Sequence, residues 1–522
     1  MKKISSQKFR KVWFDFWENK KHKYLPETSL IGGKESTAMF NIAGMQQLIS
    51  YLNGKPHPLG KRLYNIQKCI RTVDIDEVGD ESHLTFFEMM WNWSLGDYFK
   101  EWSIQYSREF LVDVLWFDFQ KLAVTVFQWD KDSPKDEETA KYWKKLLPEE
   151  RIVYMSAENN WRSPGPVWPC GPDTEIFYRI WKSELPPKKS NPKSDEENRL
   201  EIRNNVFMQY YRDENWKLTK LKNQNIDTGM WLERMCVILQ EKQTIFETDI
   251  FLPIIEIIEK FVWKKYKWNE KKFRIVADHV RTAFFMIKNW IHPSNEWRWY
   301  VLRRIIRRMY FNVISLKEVT EKDFEKCLNN VVDCIKKLFN EKIDIDQIVN
   351  ILFKECVQFQ KTINNWQKLL RELFDKNKWK DISWNDIFKL YDTYGFPIEL
   401  TREIAKEKWF KIDEKWFEKE MEGQKNKSRE SSKFKQGIDR WKYLQWIPAT
   451  KFTWYEKLDE DVKLLKDFKI GEQRILVFDK SPFYAESGGQ TGDNWIVILD
   501  SWEKIEIADV KKYEWIFLHF VK

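Results

Sequence analysis

Four stretches of the chain concentrate residue types that handle phosphate, amine or nucleic-acid chemistry. In the first, Gln67-Lys68-Cys69-Ile70-Arg71 and His83 to Asn92 flank an acidic loop, Asp74-Ile75-Asp76-Glu77, and read as strand, long loop, strand. Arg71 at the end of one strand and Glu88 in the next could face one pocket, where a guanidinium clamps phosphate and an aromatic stacks on a base. A surface hairpin with a salt bridge reads equally well. In the second, Trp168-Pro169-Cys170-Gly171-Pro172-Asp173-Thr174-Glu175, the turn residues place Asp173 and Glu175 at a rigid bend. Carboxylates there could hold Mg²⁺ or an amine, or the segment is an ordinary Pro-Gly turn. In the third, Asn225 to Arg234, Asp227 or Thr228 is expected to cap a helix carrying Arg234 in its first turns. A helix start with an arginine nearby suits a polyphosphate, and a plain capped surface helix is the alternative. In the fourth, Ser294 to Met309, helical spacing puts Leu302, Ile305, Ile306 and Met309 on one face. Arg303, Arg304, Arg307 and Arg308 fall on the other, either as a stripe for a nucleic-acid backbone or as a solvated basic face.

The elements that must position these residues change character along the chain. Residues 1 to about 240 mix strands and helices, with strand character at Thr85 to Met89 and Glu201 to Tyr211. Ser183 to Asn198, rich in Pro, Lys and Ser, reads as an exposed loop. Residues 241 to about 450 carry apolar residues at helical spacing, as in Ile254 to Val262, Ala283 to Ile287, Ile348 to Phe353 and Leu369 to Phe374. Gly423 to Lys435 is a polar connection. From 451 to 522 strand character returns in Val462 to Leu465, Arg474 to Phe478 and Ile496 to Leu499. The pattern predicts an α+β chain of several units.

Composition narrows the function classes. Hydrophobic residues at 43% and charged residues at 32% indicate globular domains. No apolar run approaches the roughly 20 residues of a membrane span. Met1 to Lys11 is polar and basic, without an apolar signal core, so a cytoplasmic location and no membrane partner are expected. The net charge of +9 permits a polyanionic partner without requiring one. The six cysteines form no CxxC pair and read as reduced thiols, and the six histidines never fall at HxxxH or HExxH spacing. No metal site is expected. As written there is no P-loop and no GxGxxG. Glycine at Trp91 and Trp93 would create one GxGxxG ending at Gly96, but without a surrounding βαβ pattern.

Tryptophan is in surplus and glycine short. The chain has 29 Trp and 17 Gly, where a glycine content of about 7% would give roughly 36. Asn215-Trp216 sits between two strand-like flanks, where Asn-Gly would make the hairpin turn. Asn494-Trp495 repeats the pattern, and Trp409 ends a helical stretch where a C-cap glycine belongs. Many of these tryptophans are therefore expected to be glycines in the cell, from a gene whose lineage reads UGA as glycine. A truly tryptophan-rich protein is the alternative.

Taken together, the segments resemble alanyl-tRNA synthetases, a class II family. The resemblance runs from Phe9 to the C-terminus and rests on Asn41-Ile42-Ala43-Gly44-Met45, Phe86 to Lys100, Val206 to Tyr210, Ala277-Asp278-His279-Val280-Arg281, Tyr391 to Pro397 and Phe483 to Gln490. The family usually has glycine where this chain has Trp91, Trp116, Trp129, Trp168, Trp216, Trp231, Trp290, Trp299, Trp384, Trp409, Trp454 and Trp495. Trp93, Trp143 and Trp161 occupy positions where aromatics are ordinary.

The resemblance implies an antiparallel class II catalytic domain at 1–240, a helical domain recognising the tRNA acceptor stem at 241–450, and an incomplete β-rich editing region at 451–522. It implies ATP, Mg²⁺, alanine and tRNA(Ala) as ligands. Arg71 would hold the α-phosphate and Arg234 the γ-phosphate, with Phe86, Glu88, Glu175 and Gly229 completing the ATP site. Asp227 would bind the alanine amino group, Val206 would shape a small pocket, and Asn204 would orient the carboxylate; Arg71, Arg234 and Asp227 would carry catalysis. The tRNA contacts would come from Asn295, Arg298, Arg303, Arg304, Arg307, Arg308 and Asp392. Arg203 and Arg162 depart from the family, which tends to have Trp at both positions. The family's editing site holds zinc through an HxxxH pair and a later Cys and His, and this chain lacks them; neither bound zinc nor deacylation is expected. The chain reads as a fragment ending before the dimerisation region. A non-catalytic RNA-binding paralogue and a freestanding editing hydrolase are the rival readings.

Overall fold

The computed structural model describes residues 3–522 except 32–38, 131–132, 163–167, 181–184, 214–216, 295–296, 378–447, 449, 453–460, 471–472, 482–494, 499–503 and 514–515. It divides into two compact units, one of residues 1–293 and 301–353, the other of 294–300 and 354–522.

The first unit opens on the helix Ser6–Asn19, whose N-cap Ser5 accepts from the Lys8 amide at 3.3 Å. Phe9, Trp13, Phe16 and Trp17 follow helical spacing and are buried. The unit is built on a nine-stranded sheet of β1 (Lys23–Tyr24), β2 (Arg62–Ile70), β3 (Phe86–Leu95), β4 (Leu122–Phe127), β5 (Ile152–Met155), β6 (Trp161–Arg162), β7 (Pro169–Arg179), β8 (Arg199–Arg212) and β9 (Leu218–Trp231). Its spatial order is β1-β2-β3-β9-β8-β7-β4-β5, with β6 paired to β7. The successive pairs from β2–β3 to β7–β4 are antiparallel, as the resemblance implies, while the outer pairs β1–β2 and β4–β5 are parallel.

Two local expectations are corrected. Asp227 and Thr228 cap no helix: β9 continues to Trp231, and the helix Leu232–Leu239 starts there without a side-chain cap. The β-ladder to β8 satisfies the backbone through Gly229 and outcompetes the turn that Asp227 would otherwise nucleate. Asp173 and Glu175 lie at no bend either. They belong to β7, which absorbs its prolines and glycine through a register shift between Cys170 and Asp173.

Helices Leu252–Val262, Glu270–Lys288, Trp297–Leu316, Glu321–Leu338 and Ile345–Asn377 follow the sheet, in line with the apolar periodicity. Glu270–Lys288 is buried continuously from Phe273 to Ile287. The second unit contains a five-stranded sheet of Leu464–Ile470, Gln473–Phe478, Ile516–Val521, Lys504–Tyr513 and Trp495–Ile498, in that order, over a core that includes Leu476, Phe478 and Ile505. The turn at Asn215-Trp216, together with Trp384, Trp409 and Trp454, lies outside the described residues.

Candidate functional site

Cross-strand register assembles the site. Across β3, β9, β8 and β7, Trp91 stands opposite Gly229, Gly229 opposite Asn204, and Asn204 opposite Glu175. Two residues along, the row reads Trp93, Asp227, Val206, Asp173. Because side chains alternate with a period of two, both rows point to one face. A cavity of about 470 Å³ opens there, and Arg71, Asn204, Val206, Asp227, Gly229 and Arg234 line it. Most of the residues assigned to ATP and alanine thus converge.

The same alternation moves two of them away. Phe86 and Glu88 lie on the opposite face of β3. Phe86 stacks on Phe285, ring centroids 4.2 Å apart, and Glu88 is paired with Arg10. They do not line the cavity. Phe87, on the cavity side of β3, lies beneath Trp231 with the Arg71 guanidinium 5.1 Å above its ring. The signal that would have found it is the strand period, counted back from Met89 and Trp91.

Electrostatics follow from burial. The Asp227 carboxylate is 2% exposed and accepts from Trp93 Nε1 at 2.6 Å. Burial pushes its pKa up to about 7, against that hydrogen bond. A bound ammonium would restore the charged form. Arg234 donates to the Glu201 carboxylate at 2.8 Å, which holds its guanidinium towards the cavity. Burial lowers the pKa of Arg71.

In the cavity wall, Arg162 bridges Asp173, at 3.2 Å, and Glu175. Burial first, then Glu201 and Asp173, raise Glu175 to about 9. Burial outweighs the neighbouring Arg162 and Arg234, so this carboxyl would need a stronger positive charge, such as Mg²⁺, to ionise. Among the described residues, however, no group of three or more His, Cys, Asp and Glu could hold a metal alone. Glu175 and Asp173 are the carboxylates that would hold a Mg²⁺ ion, which would need further ligands from a bound nucleotide. Arg203 faces away from the cavity. Its guanidinium is fully buried between Trp13 and Trp17 and donates to Asn92 at 2.7 Å and Ser107 at 3.0 Å. The pocket wall is therefore altered at Arg162 and not at Arg203.

Two indoles fill the space that remains. Trp231 stacks on Phe87, centroids 3.9 Å apart and 7° from parallel, and lies 4.3 Å from the Arg234 guanidinium and 5.5 Å from that of Arg71. It occupies the gap between the two arginines. Trp91 packs so closely on Gly44 that a Cβ there would lie 2.5 Å from the indole Cδ1, and its buried Nε1 has no partner.

The arginine helix departs from the expected exposed stripe. Leu302, Ile305, Ile306 and Met309 form the apolar face as predicted, but Arg303, Arg307 and Arg308 are also buried. Arg308 donates to the carbonyls of Ile75 and Val78, and Arg304 pairs with Asp76 at 2.6 Å. Arg304 and Arg308 bind the acidic loop 74–78, a long-range pairing invisible in the helix itself. Asn295, Asp392 and the Arg298 side chain lie outside the described residues. No helix among the described residues is long and apolar enough to cross a membrane.

Comparison with known proteins matches residues 8–522 to the family model described as tRNA synthetases class II (A). The chain is 39% identical to the alanine–tRNA ligase of Thermotoga petrophila over all of this chain and 62% of that protein. It is 41% identical to that of Thermotoga maritima over 95% of this chain and 59% of that protein. With the alanine–tRNA ligase of Borrelia hermsii it shares 42% identity over 82% of this chain and 74% of that protein. The chain spans about three-fifths of the length of the two Thermotoga proteins.

Proposed function

The chain belongs to the class II (A) tRNA synthetases, and we propose that it activates alanine with ATP and transfers it to the 3′ end of tRNA(Ala). The observation that carries this reading is the convergence of Arg71, Arg234, Asp227, Asn204 and Val206 on one cavity in a chain that matches alanine–tRNA ligases along its length.

Each residue's role follows from its position. The Asp227 carboxylate holds the alanine ammonium, and Val206, beside it in the cross-strand row, limits the side chain to a methyl group. Asn204 orients the carboxylate. Arg71 and Arg234, about the cavity and each near the Phe87–Trp231 stack, hold two phosphates of one nucleotide in a bent path. Attack of the alanine carboxylate oxygen on the α-phosphorus breaks the bond to the β-phosphate oxygen, giving alanyl-adenylate and pyrophosphate. A terminal ribose hydroxyl of the tRNA then attacks the acyl carbon and AMP leaves. Both steps rest on positioning and charge neutralisation. Mg²⁺, when bound, would supply phosphate charge neutralisation, and Glu175, paired with Arg162 beside the cavity, is a carboxylate that would hold it. The acceptor stem would be read from within residues 241–450.

The reading includes glycine at many tryptophan positions. Seven described non-glycine residues have positive φ, and four are tryptophan: Trp116, Trp263, Trp268 and Trp290, at φ 58° to 85°. All four are more than half exposed. A left-handed backbone under an exposed indole is poor chemistry for tryptophan and ordinary for glycine. Trp263 and Trp268 were not among the positions singled out by resemblance, so they support the idea separately. UGG codons at these positions would refute it.

Alanine-dependent ATP–pyrophosphate exchange tests the function in the chain carrying Trp91→Gly and Trp231→Gly. Exchange is expected, and its absence in a folded protein overturns the synthetase reading. One observation favours a second reading. If Trp231 is tryptophan in the cell, its indole closes the nucleotide site, and the chain is an RNA-binding relative without activation chemistry.

A further inference from the structure

On the face of β3 away from the cavity lies a buried group that the proposed chemistry does not use. Arg281, from the helix Glu270–Lys288, is fully buried. Its Nη1 donates to Glu233 Oε1 at 2.9 Å and its Nη2 to the Phe86 carbonyl. The Glu233 carboxylate, equally buried, also accepts from the Glu88 amide at 3.1 and 3.2 Å. One turn earlier, Asp278 accepts from the Thr85 amide at 3.1 Å. A single helix therefore grips three points: Thr85, Phe86 and Glu233.

The gripped residues are the sequence neighbours of the site. Phe86 precedes Phe87, and Glu233 precedes Arg234. Strand alternation puts Phe87 on the cavity side of β3, directly beneath Trp231, while Phe86 stays on the grip. Stability alone does not account for the arrangement, because a buried ion pair is weakly stabilising at best compared with apolar residues of the same volume. What the guanidinium supplies is geometry. Its rigid fork fixes a carboxylate and a carbonyl on two different elements at one spacing.

We propose that Arg281 is a positioning residue for nucleotide binding, holding the start of β3 and the first turn of Leu232–Leu239 at the separation that lets Phe87 and Arg234 address one ATP molecule. This rests on the ATP reading of the cavity. Once the fork is removed, Phe87 and Arg234 keep their chemistry but lose their relative placement, and the effect falls on ATP before alanine, whose ligands Asp227, Asn204 and Val206 lie farther along the sheet.

The test compares Arg281→Lys and the double variant Arg281→Met/Glu233→Met with their parent, the full chain carrying Trp91→Gly and Trp231→Gly. Equilibrium ATP binding, pyrophosphate-exchange kinetics and thermal melting are read together. In the folded double variant the ATP Kd and KM are expected to rise 10- to 100-fold, with the alanine KM within twofold. Arg281→Lys, whose ammonium reaches one acceptor well, is expected to fall in between. ATP constants within twofold of the parent in a folded double variant overturn the proposal. If the double variant does not fold, Arg281→Lys decides: an ATP KM raised at least fivefold at constant alanine KM supports it, and unchanged ATP constants overturn it. A parent that binds ATP without exchange refutes the synthetase reading and still lets the Kd series judge Arg281. A parent that binds no ATP overturns both.

Discussion

Replacing Trp231 with glycine is the sharpest perturbation available. The indole is 6% exposed, stacked on Phe87 and covered by Arg234. A nucleotide reaching both arginines must first expel it. A tryptophan buries roughly 150–250 Å², so at about 25 cal/mol per Å² expulsion costs about 4–6 kcal/mol. Losing the aromatic stack adds about 1 kcal/mol, and the cation–π contact about another. The displaced ring recovers part of this on other surface, which leaves about 5 kcal/mol, or roughly 10³- to 10⁴-fold in affinity. Trp231→Gly, in a Trp91→Gly background, is therefore expected to tighten ATP binding by that factor. It should also lower the melting temperature of the free protein, because the buried indole is lost. Saturating ATP should then recover part of the loss through linkage. Calorimetric titration of ATP into both proteins, with melting curves with and without nucleotide, checks each part. Equal ATP affinities in the two proteins would refute the reasoning, since the indole then could not be occupying the nucleotide's place.

Three further outcomes follow from the same geometry. Asp227→Asn should raise the alanine KM at least about 100-fold, on the scale of a lost buried charge-assisted contact, with little change in ATP KM, and steady-state kinetics read the split. With Asp227 retained in the Trp91→Gly and Trp231→Gly chain, the alanine KM should climb as pH falls below about 7, because Asp227 must be ionised to hold ammonium. The stability effect has the opposite sense: the folded pKa of about 7 lies above the ordinary 3.8, so the fold loses stability as pH rises through that window. The loss approaches about 4 kcal/mol above it. Asp227→Asn should remove that pH dependence in denaturant titrations, and a slope that persists would reject the assignment. Trp263→Gly and Trp290→Gly, each just past the end of a helix with φ 58° and 63°, should each stabilise by about 1 kcal/mol through relief of left-handed strain; destabilisation measured by urea unfolding would argue that tryptophan belongs there. Arg308→Gln should cost about 1.5–3 kcal/mol of stability through its lost contacts to Ile75 and Val78. Unchanged melting with weaker, less salt-dependent RNA binding would instead put Arg308 on a phosphate.

The residues of the site were legible in the sequence because their chemical types are rare in combination. Arg71, Asp227 and Arg234 were singled out because their segments resemble alanyl-tRNA synthetase motifs, which imply nucleotide and amine recognition, and the helices after residue 250 announce themselves by apolar spacing. The tryptophan excess was legible for the same local reason, since turn and cap positions have steric requirements that a single residue can violate. Face and partner were not legible. Phe86 and Phe87 are equivalent as letters, and only the folded sheet puts one against Phe285 and the other beneath Trp231 at the cavity. Asp227 reads as a helix cap until the β8 ladder takes its backbone. The arginines of Trp297–Leu316 read as a surface stripe until the acidic loop more than 220 residues earlier closes on them. Local sequence determines conformational preference and chemical type, because both depend on a residue and its near neighbours. Register, burial and charge pairing depend on contacts between distant segments, so the tertiary structure alone decided which of these side chains share a site.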